Sequence, residues 1–424
     1  MFLEVGRRNA YPLTTRKLLA LVALLPALFC LPRMAHGQMT LSLQQAIRMG
    51  LAHAPAAQIS SDRVSLQRAQ IAQARLRPNP RLYLQSEDLR PWDQSFSFPD
   101  SSEDYGYLSQ TFEIDGKRGK RIAYAEGGLR RTEAEHTLEL RRIAAEIADG
   151  YWMAVATRAD VAQWKHQLSD FERIVQYQSA RVQAGAAAGV DLLRMQIERD
   201  RIALSLAQAE RDADAASIEL ARLTASPLVK TATLTDALEE ERTVAPTPLA
   251  TAIEQRPDVD AARQAVLEAK ANIRLQHADA VPNIDLLGGY KRNVGTNTLY
   301  GGLQLDLPFF NRNQGGVATA HANEQYAEDQ LAYTRLNASS QIATAMNEYV
   351  REQALVRNTL PGMDERALRN AAIIADAYHS GGADLLRYLD AERTLIDTRL
   401  LSIQTWTAYQ KAVIALHLAY GEQP

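Results

Sequence analysis

The sequence predicts a mainly α-helical protein with a small β part, laid out as two tandem copies of one unit: helix, strand, strand, long helix, return helix. Three observations predict it. In Tyr105–Arg121, YGYLSQTFEIDGKRGKR, residues first alternate, with Leu108, Gln110, Phe112 and Ile114 facing one way and Tyr107, Ser109, Thr111 and Glu113 the other. A 3.6-residue period then takes over, with no proline before Pro227. A similar switch recurs at Leu303–Gly316, and the helical turns repeat as well: Val190-Asp191-Leu192-Leu193-Arg194 against Ala383-Asp384-Leu385-Leu386-Arg387.

The elements follow in order. Arg7, Arg8, Arg16 and Lys17 precede the apolar run Leu18–Leu31, and Ala35-His36-Gly37 offers a small-x-small cleavage site, so 1–37 reads as a secretory signal peptide. The run is short for the alternative, a transmembrane anchor. The single cysteine, Cys30, lies inside it behind Phe29, which is too large for a lipidation site. The exported chain is therefore Cys-free and takes its stability from packing or assembly rather than disulfides. Beyond residue 37 it keeps 42 basic against 49 acidic residues, a net charge of about −7 that argues against a nucleic-acid partner. No later run reaches 18 apolar residues, so no transmembrane helix is expected.

Residues 38–225 form the first repeat. Ser42 and Gln45 make a capping box for a helix from about Leu43 that passes Pro55 and ends near Leu76, stopped by Arg77-Pro78-Asn79-Pro80. Arg81–Glu87 alternates as a strand, 88–104 is a polar loop studded with Trp92, Phe96 and Phe98, and the Tyr107 strand completes a hairpin. A helix from about Lys117 to Arg181, mildly interrupted at Gly127-Gly128 and Gly150, spans roughly 95 Å, too long for one globular core. Gly185–Gly189 turns it, Asp191 caps a return helix to about Thr224, and Val190, Leu193, Ile197 and Leu204 form its seam.

Prolines mark 226–247 as a linker, and 248–424 repeats the design. Thr247 caps and Pro248 opens a helix. Arg256-Pro257-Asp258 and Val281-Pro282-Asn283 match Ala54-Pro55-Ala56 and Arg77-Pro78-Asn79. Ile284–Lys291 and Leu299–Leu307 alternate around a turn at Asn293–Asn297, and a long helix then runs to about Tyr378 with a break near Pro361-Gly362. Gly381-Gly382 turns it, and Asp384 caps a return helix whose seam is Leu386, Leu389, Ile396, Leu400 and Ile403.

Strands of about 8 to 10 residues with one apolar face suit tilted membrane spans. An open sheet is forbidden in lipid and four strands are too few to close, so other copies of the chain must complete it. The alternative is a soluble helical protein with two incidental hairpins.

At this point the residues resemble a family. LSLQQAIRMGLAHAP (41–55), RPNP (77–80), QTFEIDGKRGKR (110–121), LPFFNRNQGG (307–316) and the turns GVDLL and GADLL resemble TolC-type outer-membrane efflux ducts, and the GKR and FNRNQG elements resemble the CzcC-like heavy-metal efflux branch. The resemblance covers nearly all of 39–422. It implies a homotrimer in which four strands per chain build one 12-stranded transmembrane β-barrel and the helices build a periplasmic α-barrel. It also implies docking on a periplasmic adaptor (membrane fusion) protein linked to an inner-membrane proton-driven efflux pump, with no chemistry in the duct. The expected cargo is heavy-metal cations; the alternatives are a duct for drug or protein export and a soluble periplasmic coiled-coil adaptor.

The resemblance assigns adaptor contact to the tips, Gly185, Val190, Asp191, Leu192, Gly381, Gly382, Asp384 and Leu385, although ordinary helix turns would use the same glycines and caps. Asp390 resembles the aspartate that rings the closed periplasmic mouth, with Arg194 and Arg387 departing from a purely acidic ring. Lys117, Arg118, Lys120, Arg121 and Arg312 sit where strands meet helices. Positive charge there opposes the helix dipole, so lipid phosphate at the membrane rim is the expected partner, a solvated turn the alternative. Trp92, Phe96, Phe98 and Tyr105 suit an aromatic girdle or a loop mini-core. The seven histidines after residue 37 make no paired ligand spacing, His379 being the one near a tip, so neither cofactor nor resident metal nor catalytic group is expected.

Overall fold

The computed structural model describes residues 39–293 and 295–423; the expected signal peptide and Cys30 lie outside the described residues. The first repeat comprises β1 (Thr40–Leu41), α1 (Leu43–His53), α2 (Pro55–Ala74), β2 (Arg81–Glu87), the short α3 (Phe98–Ser101), β3 (Glu103–Phe112), α4 (Lys117–Gln183) and α5 (Gly189–Leu223). After β4 (Thr233–Leu234) the second contains α6 (Leu249–Gln255), α7 (Pro257–Asp279), β5 (Ile284–Asn293), β6 (Thr296–Leu305), α8 (Gln314–Ala354), a π-turn at Leu355–Thr359, α9 (Leu360–His379) and α10 (Leu385–Tyr420).

Local chemistry sets the helix ends. Ser42 Oγ accepts from the Gln45 amide at 3.3 Å while Gln45 Oε1 accepts from the Ser42 amide at 2.9 Å, the expected capping box. Pro55 forces Ala54 out of the helical region, so the single helix expected across it is two, with Pro55 opening α2. Arg256 and Pro257 do the same between α6 and α7. Pro248, not Thr247, takes the cap position of α6. In the long second helix, the π-turn sits just before Pro361, whose missing N–H then falls in the first turn of α9.

The 67 residues of α4 are helical throughout, about 100 Å. Gly127 does not interrupt them: a Cβ there would lie 3.0 Å from Glu268 Cα, so the glycine admits a close approach of α7. The seam expected for α5 is on the wrong face. Val190, Leu193, Ile197 and Leu204 are 55–72% exposed, and the buried stripe is Met195, Ile202, Ala209 and Ala216, spaced by seven. On α10, Leu389 and Ile396 are buried as expected and Leu386 is exposed.

The four long strands form one antiparallel sheet in the order β2-β3-β5-β6, and β3–β5 pairing from Glu103↔Asn293 to Phe112↔Ile284 joins the two repeats. β2 and β6 are its open edges.

The segment expected as a linker is built into a belt around the helices. β4 pairs in parallel with β1, and Asp236 Oδ2 accepts from the Leu43 amide at 2.8 Å and the Tyr151 hydroxyl at 2.7 Å. Arg242 Nη2 donates to Asp236 Oδ1 at 3.2 Å, and its guanidinium lies 4.9 Å from the Trp152 ring. Tyr409, on α10 of the second repeat, donates its hydroxyl to Arg242 O at 2.6 Å. Tyr151, Trp152 and Tyr409 are 0–1% exposed. Burial alone would raise the Asp236 carboxyl, but the donors Tyr151, Leu43 and Arg242 outweigh it and hold its pKa below the ordinary value.

Asp236→Ala leaves the Tyr151 hydroxyl and the Leu43 amide without their acceptor and should cost about 1–3 kcal/mol, seen as a lower thermal midpoint in detergent. A carboxylate whose pKa is lowered on folding adds stability above its unfolded value of about 3.9, lost as pH falls through the folded value. The gap between wild type and variant should therefore be full at neutral pH and close in strong acid; a constant gap would mean that Asp236 acts through packing alone.

Candidate functional site

Residues directly opposite across a strand pair share a face. The register sets Leu82 against Leu108, Gln110 against Leu286, Leu286 against Leu303 and Tyr290 against Leu299. The four alternating patterns thereby merge into one apolar face. Leu82, Leu84, Leu108, Phe112, Leu286, Tyr290, Leu299, Leu303 and Leu305 are 42–85% exposed on it. Burying a side chain of this kind is worth roughly 1.5–3 kcal/mol, so nine of them facing water would be a heavy penalty that lipid removes. The other face carries Tyr83 stacked on Tyr107 at 4.6 Å, Tyr300 edge-on to Tyr107 at 6.0 Å, and Lys291 paired with Glu103 at 3.0 Å. Tyr105 is on this polar face, 4.7 Å beneath Lys291, and so does not join an outer girdle; Trp92 is 80% exposed in the loop.

Below the sheet, the basic residues have internal partners. Arg118 Nε donates to Arg75 O at 2.7 Å, and Arg121 donates to Ala74 O at 3.1 Å and Leu76 O at 3.0 Å while pairing with Glu113 through both Nη atoms. These are the free carbonyls at the C-terminal end of α2, where cations are favourable. The charges that oppose the dipole of their own helix thus serve a neighbouring one. Lys117, 6% exposed, reaches Asn283 at 2.7 Å, and Lys120 reaches Asp115 at 2.8 Å. In the second repeat Asn313 does the same work with an amide, donating to Gln276 O at 2.8 Å. Gly116 (φ 64°) and Asn313 (φ 55°) are left-handed at the matching start of α4 and α8, and a Cβ at Gly316 would crowd the Asn313 and Gln276 side-chain amides. Arg312 is exposed, its Nε donating to Pro308 O at 3.3 Å.

At the far end both hairpins turn on a left-handed glycine, Gly185 (φ 72°) and Gly381 (φ 81°). Asp384 caps α10 by accepting from the Arg387 amide at 2.8 Å. Asp191 is not a cap: Ala188 takes that position and Asp191 lies in the first turn of α5. The two tips pack on each other through Phe171, Val175, Met195, Ile202, Tyr378 and Leu385. Tyr378 stacks on Tyr388 at 5.0 Å and donates to Gln178 Oε1 at 3.1 Å. Leu385 is buried and Leu192 partly so in this cluster, whereas Gly185, Val190, Gly381, Gly382 and Asp384 remain exposed.

Asp390 is exposed, two turns along α10 from the tip, in an open groove of about 590 Å³ between α5 and α10. Arg194, Arg201, Arg387 and Arg393 share the groove, and Glu198 at its buried edge pairs with Arg393 at 3.0 Å and Arg201 at 3.4 Å. The hydrogen bonds from Arg393 outweigh burial and lower the Glu198 pKa.

The topology also makes one juxtaposition that residue spacing hides: His277 and His321, on adjacent helices, lie 6.1 Å apart. His379 packs edge-on to Tyr177 at 5.6 Å. Among the described residues no group of three or more His, Cys, Asp or Glu could hold a metal ion, and no helix is long and apolar enough to cross a membrane.

A lipid-facing sheet with open edges, continued by helical hairpins far longer than a globular core, defines the subunit of an assembled membrane duct. Residues 46–226 and 249–422 match the outer membrane efflux protein family, and the chain belongs to it. It is similar to the cobalt-zinc-cadmium resistance protein CzcC of Cupriavidus metallidurans, 28% identical over 341 residues that cover 78% of each chain. The nickel-cobalt-cadmium resistance protein NccC of Alcaligenes xylosoxydans xylosoxydans is 25% identical over 304 residues, 71% of this chain and 69% of that one. Among solved structures, the open state of the MtrE outer membrane channel of Neisseria gonorrhoeae superposes with a TM-score of 0.76 at 19% identity, covering 90% of this chain and 89% of that one. The two soluble readings, a helical protein with incidental hairpins and a periplasmic adaptor, are set aside by this membership.

Arg121 has several internal acceptors and Arg312 one, so charge reversal separates them. Arg121→Glu should sharply lower the yield of assembled, membrane-inserted protein on unheated gels, and Arg312→Glu should leave it near wild type. Equal yields would mean that the carbonyls of α2 do not need the clamp.

Proposed function

We propose that the chain is the exit duct of a three-part efflux system, three copies joining their sheets into one 12-stranded barrel in the outer membrane and their helices into a periplasmic α-barrel. The observation that carries this is the apolar face with two open edges. An edge strand of ten residues turns about ten backbone groups outward, and at several kcal/mol each in lipid that amounts to tens of kcal/mol. Pairing β6 of one copy with the seven-residue β2 of the next removes most of that penalty.

The cargo of this reading is heavy-metal cations, supported by the cobalt, zinc, cadmium and nickel in the names of the relatives. The duct performs no chemistry and needs no cofactor. An inner-membrane proton-driven pump supplies the energy through a periplasmic adaptor, which meets the exposed tips around Gly185, Val190, Asp191, Gly381, Gly382 and Asp384. Leu192 and Leu385 serve that contact indirectly, by holding the two tips together. Asp390 stands at the periplasmic mouth. At the membrane rim Arg118 and Arg312, the exposed members of the basic set, meet lipid phosphate, while Lys117, Lys120 and Arg121 brace the junction.

Deleting the gene should sensitise cells to one or more of zinc, cobalt, cadmium, copper and silver, with growth in common drugs unchanged; drug sensitivity alone would overturn the metal assignment. Recovery of the protein in the soluble periplasm would overturn the duct. For the tips, Gly189→Glu and Gly382→Glu alter exposed positions outside the Val190 stripe and should keep normal assembly but lose most metal resistance. Leu385→Glu, which puts a charge into the tip cluster, should lower assembly itself. Full resistance in the first two variants would remove adaptor docking from these turns.

A further inference from the structure

The topology brings together one pair of side chains that neither packing nor the duct accounts for. His277 lies in the last turn of α7 and His321 about two turns into α8. Their ring centroids are 6.1 Å apart, with the planes at 75°. Both residues are exposed, and among the described residues neither ring makes a hydrogen bond. Glu324, one turn along α8, has Oε2 3.7 Å from His321 Nδ1. The junction itself does not call for imidazoles: counted from the matches of Pro78 with Pro282 and Gly116 with Asn313, the equivalent positions in the first repeat are Gln73 and Tyr124. A tetrahedral metal at about 2.0–2.1 Å from one nitrogen of each ring sets the ring centres about 5 Å apart. The pair is within about 1 Å of that spacing, a distance that side-chain rotation covers.

We propose that His277 and His321 form a two-histidine site for a divalent transition metal of the zinc, nickel, cobalt and copper class, which ties α7 to α8 just beneath the sheet. Neutral imidazole suits these ions, and water fills the remaining positions. Glu324 accepts from the Nδ1–H of His321 once that ring turns to the metal, which presents Nε2 and makes it a better donor. Coordination rather than net charge holds the ion. Lys270 and Arg274 on α7 offset Glu324 and Glu328 on α8, Lys270 pairs with Glu328 at 3.0 Å, and Asp279 acts on Arg121 of α4. The C-terminal end of α7 adds a negative partial charge beside the ion. With two protein ligands rather than three or four, the site takes up and releases metal instead of keeping it as part of the fold. It binds metal whether or not metal is what the duct exports.

The test is calorimetric titration of the purified full chain in detergent, stripped with chelator, with zinc chloride and separately with magnesium chloride. The wild type should take up zinc at a single class of site and should ignore magnesium, a hard ion that prefers oxygen ligands. Bound zinc should also raise the thermal midpoint. His277→Asn and His321→Asn should each weaken zinc binding about tenfold or more and abolish that rise, whereas His379→Asn, at the tip, should change neither. Both positions are exposed, so the chelator-treated variants should melt with the wild type. His277→Gln and His321→Gln repeat the loss in a second pair, so misfolding of one variant does not decide the result. With copper in place of zinc, electron paramagnetic resonance should show nitrogen from two imidazoles in the wild type and from one in either variant. Zinc binding that survives both substitutions, that falls with only one of them, or that magnesium matches overturns the proposal, as does a wild type that binds no zinc.

Discussion

Backbone hydrogen bonding at the two sheet edges constrains the rest of the structure. β2 and β6 each present a row of N–H and C=O groups that water would satisfy and lipid cannot. The apolar face dictates lipid, and lipid then dictates pairing with another copy. Ten-residue strands, tilted, match the hydrophobic thickness. The β3–β5 pairing that joins the two repeats is the same kind of contact that the outer edges need from a neighbour, so the internal duplication supplies half of the required joints within one chain.

Where the strands leave the membrane the chain changes both solvent and period, and the junction is built twice with different chemistry. Both repeats reverse through a left-handed residue, Gly116 or Asn313, and both bring a donor to the end of the preceding helix. The first uses two arginines on three carbonyls; the second uses the Asn313 amide on Gln276. What the two copies share is the need to satisfy a helix C-terminus beside a strand, and any donor of the right reach meets it. This explains why the basic cluster has no counterpart of equal charge in the second half.

Much of this was legible because periodicity and breakers are local. Strand faces followed from alternation, hairpin turns from Gly185 and Gly381, the Asp384 cap from its place before an apolar run, and the break near Pro361 from the missing N–H. What failed to show was whatever depends on a distant partner. Positive charge at the start of α4 looked adverse because the carbonyls it serves belong to α2, some 40 residues earlier in the chain. Asp236 gave no signal because its role comes from Tyr151 and from a two-residue strand too short to have a period. His277 and His321 meet only because α7 and α8 run side by side.

The misplaced seam of α5 is informative for the same reason. Both stripes are real: Val190, Ile197 and Leu204 recur every seven residues, and so do Met195, Ile202, Ala209 and Ala216. A helix inside a bundle needs one broad apolar face, whereas a helix in a single-layered wall needs two narrow ones, for the neighbour on each side. At about 100° per residue, the five positions from Val190 to Met195 set the stripes about 140° apart. In a closed ring each helix sees its neighbours at 180° less 360° divided by the number of helices, about 150° for the twelve that three chains with four tip helices each would supply. The chain buries the Met195 stripe itself and leaves the Val190 stripe exposed, at close to the angle that such a ring requires of the next subunit. The sequence shows two seams but cannot say which belongs to the chain and which to its neighbour, because both are written with the same period.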